Sequence, residues 1–368
     1  MPDPYRAFLA VPEQEPVGIP LAVKDLIDTA GLVTTYGSAI FREHVPERTA
    51  GAVARLEEAG YGVVGKTNLH EFAYGITSEN PHFGAVVNPL DAGRIPGGSS
   101  GGNGAALAAG LCEVALGTDS AGSIRLPAAC CGIVGFKPTW GLVPADGVFP
   151  LAPSFDTVGP MATTVGACAA MMRTLGLPTD SAVDVRAALA WTELADPLVR
   201  ARVEEAAALL PGVERLDFPF PGDLNPAFQA EAADVHRGLF AEHADLYGEN
   251  VHRKLEAAFA VSEEAIEASR AEREAYRARA LEALEGFDVL LTPTMPMVAP
   301  PVGIGDLALR ARMIMLTRPF NGAGWPALAL PCGPAEDGLP ASIQVAARPG
   351  DDELVLAVGE WLERALRK

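Results

Sequence analysis

The stretch GGSSGGNG, residues 97–104, packs five glycines and two adjacent serines into eight positions. So much backbone freedom around two hydroxyls marks a place where the chain approaches another group closely. It leads into GNGAALAAG, 102–110, whose small residues predict a helix that packs very closely against its neighbours. EVALGTDS, 113–120, follows as a strand running into a turn, and a further serine, Ser123, stands in that turn. Helix, strand and tight glycine-bearing turn in quick succession are the units of an α/β chain.

The pattern extends in both directions. IPLAVKDLID, 19–28, is an apolar run with Lys24 inside it. TAGAVARLEEAG, 49–60, predicts a helix capped by Thr49 and stopped by Gly60, and YGVVG, 61–65, a short buried strand. The 38 glycines and 31 prolines fall mostly between short apolar runs rather than inside them. From about 180 to 285 the texture changes to charged, alanine-rich helix, whose last part opens with Ser262 and two glutamates and stops at Gly286. Strand character returns with FDVLLTP, PALALPCG and ASIQVAA, and DDELVLAVGEWLERALRK closes the chain as an amphipathic helix. A sheet pattern that is interrupted and then resumes predicts a single domain over 1–368, with a divergent helical segment at about 180–285.

Composition sets bounds. With 49% hydrophobic and 20% charged residues the class is globular. A formal net charge of −19 repels phosphate backbones and anionic membranes, so the expected partner is a small molecule, with no nucleic acid and no membrane. The five cysteines, Cys112, Cys130, Cys131, Cys168 and Cys332, show no CxxC spacing and predict reduced, buried thiols rather than a metal site. The N-terminus lacks the basic start and apolar core of a signal peptide, and no apolar run reaches about 18 residues. Cytoplasmic is the expected location.

Three motifs compete for the chemistry. GYGVVGKT, 60–67, satisfies the literal phosphate-loop pattern around Lys66, but Tyr61 to Val64 read as the strand itself, and ladder-bonded amides cannot cradle phosphate. Gly98-Ser99-Ser100-Gly101-Gly102 fits the GxSxG elbow, with Ser100 as nucleophile. That elbow needs a later histidine, and His236, His243 and His252 all read as surface positions on charged helix, while His70 and His82 precede the serines. The third candidate needs no histidine. In GTDSAGSIR, 117–125, the amides of Ser120, Ala121 and Gly122 converge before Ser123, and a desolvated Lys24 supplies a neutral amine as base.

With these stretches in view the chain resembles the amidase signature family. The match runs through VKDLID, GKTNLHEFAYG, NPLDAGRIPGGSSGG, GTDSAGSIRLPAACCGIVGFKPTWGLV and SFDTVGPM, and resumes in LLTPTMP, TRPFNGAGWPALALPCG and GLPASIQVAARPGDD. The resemblance implies an α/β domain with a large mixed, twisted sheet covered by helices on both faces. It implies a Ser–cisSer–Lys triad, with Ser123 as nucleophile, Ser99 as relay behind a cis peptide bond, and Lys24 as base. Ser120, Ala121 and Gly122 would form the oxyanion hole, Ser100 would support the geometry, and Tyr74 would line the substrate pocket. Asp119 and Arg125 would be structural partners. No metal or organic cofactor is called for. The activity implied is hydrolysis of a linear carboxamide to a carboxylate plus ammonia or an amine. Its alternatives are the amidase subunit of a tRNA-dependent amidotransferase, whose typical Tyr-Asp-Gly-Val-Arg stretch has no counterpart here, and an allophanate or urea-derivative hydrolase. The chain departs from the family in having Ala121 where a glycine is usual. Only 23 residues precede Lys24, where relatives carry a longer helical region that often makes dimer contacts, so a homodimer stays an open expectation.

Overall fold

The computed structural model describes residues 3–177 and 184–367. Its strands are β1 (Phe8–Ala10), β2 (Ile19–Lys24), β3 (Tyr61–Thr67), β4 (Glu79–Asn80), β5 (Gly84–Ala85), β6 (Val114–Asp119), β7 (Val134–Lys137), β8 (Thr157–Ala162), β9 (Ala187–Leu189), β10 (Glu214–Arg215), β11 (Val289–Pro293), β12 (Ala327–Pro334) and β13 (Pro340–Ala346). All but the β4–β5 pair join one eleven-stranded sheet, ordered β1-β3-β2-β6-β8-β7-β12-β13-β11-β9-β10. It is mixed: β2 runs parallel to β3 and β6, whereas β8 is antiparallel to β6 and β7, and β12 to β7 and β13.

The helices are α1 (Gly51–Glu58), α2 (Gly101–Ala108), α3 (Arg125–Cys131), α4 (Val165–Thr174), α5 (Pro197–Ala207), α6 (Asn225–His243), α7 (Glu249–Phe259), α8 (Glu263–Ala283), α9 (Asp306–Ile314), α10 (Arg318–Ala323) and α11 (Asp352–Leu366). Side chains alternate along a strand, and here the alternation sorts them by size. Leu21, Val23, Val114, Leu116, Leu328 and Leu330 pack into a cluster shared with α1, α4, α5 and α11. Between them Ala22, Ala115 and Ala329 face the other side, with α2 and α3. The alanine face lets the glycine-rich α2 come close to the backbone of its neighbours. A Cβ on Gly102 would lie 2.3 Å from the Asn68 carbonyl oxygen. Helices thus cover both faces of the large mixed sheet, as the family resemblance implies.

Several local expectations change. Thr49 does not cap α1: its Oγ1 accepts from the Ala30 N–H at 3.1 Å, and Ala50 is the cap residue. Ser262 does cap α8, accepting from Ala265 N–H. The start of the expected helical segment, 180–183, lies outside the described residues. The remainder is not only helix, since β9 and β10 add two strands to the sheet edge, β9 running parallel to β11. His236, expected at the surface, is wholly buried, with Nδ1 at 3.0 Å from the Tyr247 hydroxyl. Its aromatic neighbours Phe72 and Phe149 come from distant loops, which no helix periodicity reveals. All five cysteines are buried and unpaired.

Candidate functional site

The site forms where β2 and β6 end side by side, at the carboxyl edge of parallel strands, where α/β sheets open to ligands. Lys24 is the last residue of β2 and is wholly buried. Its Nζ donates to Ser99 Oγ and to Thr118 Oγ1, both at 2.7 Å. Burial pushes its pKa down to about 7, against the pull of Asp119 and Asp156. Among the described residues no carboxylate lies within ion-pair distance of it.

Ser99 follows a cis peptide bond from Gly98. Its carbonyl accepts from His70 N–H at 3.1 Å and from Ser78 Oγ at 3.3 Å. Close packing explains the flanking glycines. A Cβ on Gly98 would come 2.8 Å from the Ile76 carbonyl carbon, and one on Gly101 would come 2.4 Å from Ser78 Oγ. Ser100 ties the two serine segments together, its N–H donating to Ser123 O and its Oγ to Thr118 O, each at 3.3 Å.

Ser123 lies in the turn between β6 and α3, 5% exposed. Asp119 organises this turn: its carboxylate accepts from Gly122 N–H at 2.7 Å and from Ile124 N–H at 3.2 Å. Burial pushes the Asp119 carboxyl up, but the Arg125 guanidinium beside it holds it well below the usual carboxylate range. Arg125, wholly buried, also donates to Thr317 O, Gln344 Oε1 and Asn321 Oδ1. Gly122 therefore departs from expectation, because its N–H is committed to Asp119. Among the described residues the amides of Ser120, Ala121 and Ser123 donate to no internal acceptor. Ser120 turns its hydroxyl to Asp156 Oδ1 at 2.6 Å, and Asp156 also accepts from Leu151 and Ala152 N–H. Tyr74 is 2% exposed, its ring 6.0 Å from that of Phe228, and its carbonyl accepts from Lys254 Nζ at 2.7 Å. A cavity of about 290 Å³ opens beside the group, with Leu26, Thr118, Ser120, Phe149, Leu151 and Asp156 in its wall; Ser99 and Ser123 do not line it.

The competing motifs separate here. Lys66 lies inside β3, wholly buried, and its Nζ is spent on Ile27 O, Thr34 Oγ1 and Asp25, so no phosphate cradle forms. Among the described residues no histidine ring bonds Ser100 or Ser123: His70 meets Asn250 and Thr77, His82 meets Glu71, and His243 and His252 sit beside acids of their own surface. Sequence reasoning does not single out Thr118, although strand alternation from Ser120 places it on the same face. Arg310 and Lys254, which flank Tyr74, carry no local signal.

A family model described as Amidase matches residues 10–188 and 204–356. The chain therefore belongs to the amidase signature family, and it is an enzyme of amide C–N bond hydrolysis. It is 35% identical over 407 residues to a glutamyl-tRNA(Gln) amidotransferase subunit of Prochlorococcus marinus, covering 95% of this chain and 83% of that one. A solved amidase structure superposes with a TM-score of 0.87 at 37% identity, covering 94% of this chain and 84% of the other. The corresponding amidotransferase subunit of Thermotoga maritima gives 0.82 at 33%, covering 96% and 86%. These relatives overturn the expectation of a small-molecule partner with no nucleic acid, since subunits of a tRNA amidotransferase are named for work on an aminoacyl-tRNA. Net charge failed as a guide because it sums the whole surface: it speaks neither to the charge of one local face nor to membership of an assembly that handles a polyanion. Among the described residues no helix is long and apolar enough to cross a membrane.

Proposed function

We propose that the chain hydrolyses a linear carboxamide through an acyl-enzyme on Ser123. Neutral Lys24 takes the proton of Ser99 as Ser99 Oγ takes the proton of Ser123, and the Ser123 oxygen bonds the amide carbon. The amides of Ser120, Ala121 and Ser123 are free to meet the charge that develops on the carbonyl oxygen. The relay then reverses: Lys24 returns a proton through Ser99 to the departing nitrogen, the C–N bond breaks, and ammonia or an amine leaves. Water attacks the ester, the carboxylate is released and Ser123 is restored. The observation that carries this reading is Lys24 Nζ at 2.7 Å from Ser99 Oγ, buried and with hydroxyl partners only. An amine bonded to two hydroxyls can donate to Thr118 while accepting from Ser99, which is what a base at this position requires. A fluorophosphonate probe tests the assignment: it labels the folded protein at Ser123 and leaves Ser123→Ala unlabelled, and labelling at Ser100 instead would overturn it.

The curated relatives favour one form of this chemistry, release of ammonia from glutamine within an amidotransferase, over a stand-alone amidase. The 37% identity to a solved amidase, and the missing Tyr-Asp-Gly-Val-Arg stretch, support the stand-alone form. Ammonia release from glutamine, measured for the chain alone and with whatever subunits copurify, separates the two. Dependence on those subunits supports the amidotransferase form. With five buried, unpaired thiols, we place the protein in the cytoplasm.

A further inference from the structure

Every residue from Asp119 to Ser123 except Ser120 is tied to the fold through its backbone. Asp119 O accepts from Asn321 Nδ2 at 3.0 Å, and Ala121 O from Thr317 Oγ1 at 2.7 Å. Gly122 N–H donates to the Asp119 carboxylate, and Ser123 O accepts from Ser100 N–H. Ser120 stands one position past the end of β6, beyond the reach of the ladder. Among the described residues its only hydrogen bond is the one its hydroxyl donates to Asp156 Oδ1, at 2.6 Å. That length is typical of a hydroxyl on a carboxylate anion.

Asp156 is itself held firmly. Its Oδ2 accepts from Leu151 N–H at 2.9 Å, and its two oxygens share the Ala152 N–H at 3.2 and 3.1 Å. Burial pushes the carboxyl up, against these bonds and the one from Ser120. Every partner donates, and the anion is the form that accepts from all of them. The loop that carries Asp156 is clamped from the helical segment. Ser154 donates to Glu231 of α6 through its N–H and its Oγ, and Arg273 of α8 donates to Ser154 Oγ and Ser154 O. The Arg273 guanidinium also lies 3.9 Å from the centre of the Phe155 ring. Thus α6 and α8 fix the loop, the loop fixes Asp156, and Asp156 fixes Ser120.

We propose that Asp156 is a positioning residue of the hydrolysis, which through the Ser120 hydroxyl keeps the Ser120 amide aimed at the oxygen of the carbonyl under attack. This rests on the acyl-enzyme reading above. A donor to a developing oxyanion is effective when it is oriented before the reaction, and a residue with no other hydrogen bond would have to be ordered during it. The carboxylate has a second, separate effect: its charge, with that of Asp119, favours the ammonium form of Lys24. The anchor acts through the Ser120 hydroxyl and the charge acts across space, so substitution can part them.

The test follows the rate at which a fluorophosphonate labels Ser123, since that attack puts charge on the phosphonyl oxygen whatever amide the enzyme prefers. In the native protein the rate should rise with pH and level off above about 7. Asp156→Asn, whose amide cannot accept at both ends, should lower the plateau about ten-fold, less than the loss of a whole oxyanion donor. It should also move the limb to lower pH by roughly half a unit, because a charge favouring the ammonium is gone. Ser120→Ala keeps that charge, so the plateau should fall as far while the limb stays in place. Ser120→Thr keeps the hydroxyl, has the neighbouring cavity for its methyl, and should label at the native rate. The double variant with alanine at 120 and asparagine at 156 should match the slower single variant within about two-fold. Native plateaus in Ser120→Ala and Asp156→Asn overturn the inference, and so does a limb that moves while the plateau does not. If Asp156→Asn fails to fold, the contrast between Ser120→Ala and Ser120→Thr decides alone. A native protein left unlabelled at Ser123 removes the acyl-enzyme reading and this inference with it, whereas native labelling with unmoved variants removes the inference only.

Discussion

Lys24 and Lys66 leave neighbouring strands toward opposite faces of the sheet, and both are wholly buried. Burial lowers the first to about 7 and the second to about 8, a gap too small to assign them different roles. Their partners do separate them. Lys66 meets a carbonyl oxygen, a hydroxyl and the Asp25 carboxylate. A carbonyl and a carboxylate only accept, so they hold the ammonium and brace the loop after β2. Lys24 meets two hydroxyls, which accept from an ammonium and also donate to an amine. A buried lysine becomes a base when its neighbours tolerate both of its protonation states.

The sharpest way to break this comparison is to remove each nitrogen. Lys24→Ala should lose roughly 10³-fold in kcat/KM while remaining folded, the usual worth of a positioned base. Substantial turnover at neutral pH would end the assignment. Lys66→Met should act on stability, by ~3 kcal/mol or more in urea unfolding, because Asp25 Oδ1 has no hydrogen bond and loses the one cation that pairs with it among the described residues. Lys24→Met strands no paired carboxylate, because among the described residues none lies within ion-pair distance of Lys24, and should cost clearly less stability than Lys66→Met. Equal destabilisation by the two methionine variants would show that both lysines are braces.

A gentler probe is pH. The neutral form of Lys24 is the active one and its pKa is depressed to about 7, so kcat/KM should rise as pH climbs toward 7 and level off above it. A profile flat from pH 5.5 to 8.5, outside the range of about one unit around that value, would count against Lys24 as the titrating base. The smallest effect is expected at Thr118→Val. Losing an acceptor that favours the ammonium should move that limb to lower pH by roughly half a unit, with a fall in kcat of about ten-fold. A limb that moves to higher pH would mean that Thr118 favours the neutral amine instead.

Much of this is legible in the sequence because it is local. Apolar runs bounded by glycine and proline announce the strands, the small residues of 102–110 announce α2, and a lysine inside an apolar run announces Lys24 as buried. What escapes depends on segments far apart in the chain. Thr118 reaches Lys24 across 94 positions, and the acceptor that removes Gly122 from the free amides is set by how the Asp119 carboxylate is turned by Arg125 and Asn321. His236 defies its local pattern for the same reason, since its aromatic surroundings Phe72 and Phe149 lie far away in the chain. Arg310 looks like an ordinary helix charge until the fold shows that Asp306, four residues before it, is already taken by Lys254.

The alanine face of the sheet has a consequence for how such a protein can diversify. With Ala22, Ala115 and Ala329 beneath α2 and α3, the serine-bearing end sits on ground where added carbon atoms have no room. A Cβ on Gly117 would already lie 3.0 Å from Asn103 Nδ2. The helices α9 and α10 are rooted in that ground: Met313 and Ile314 pack in the same cluster, Thr317 bonds to Ala121 in the turn after β6, and Asn321 bonds to Asp119 at the end of β6. A change on the packed side of these helices is therefore carried to the turn that holds Ser123, and the chain is free to vary chiefly where α9 faces away from the cluster.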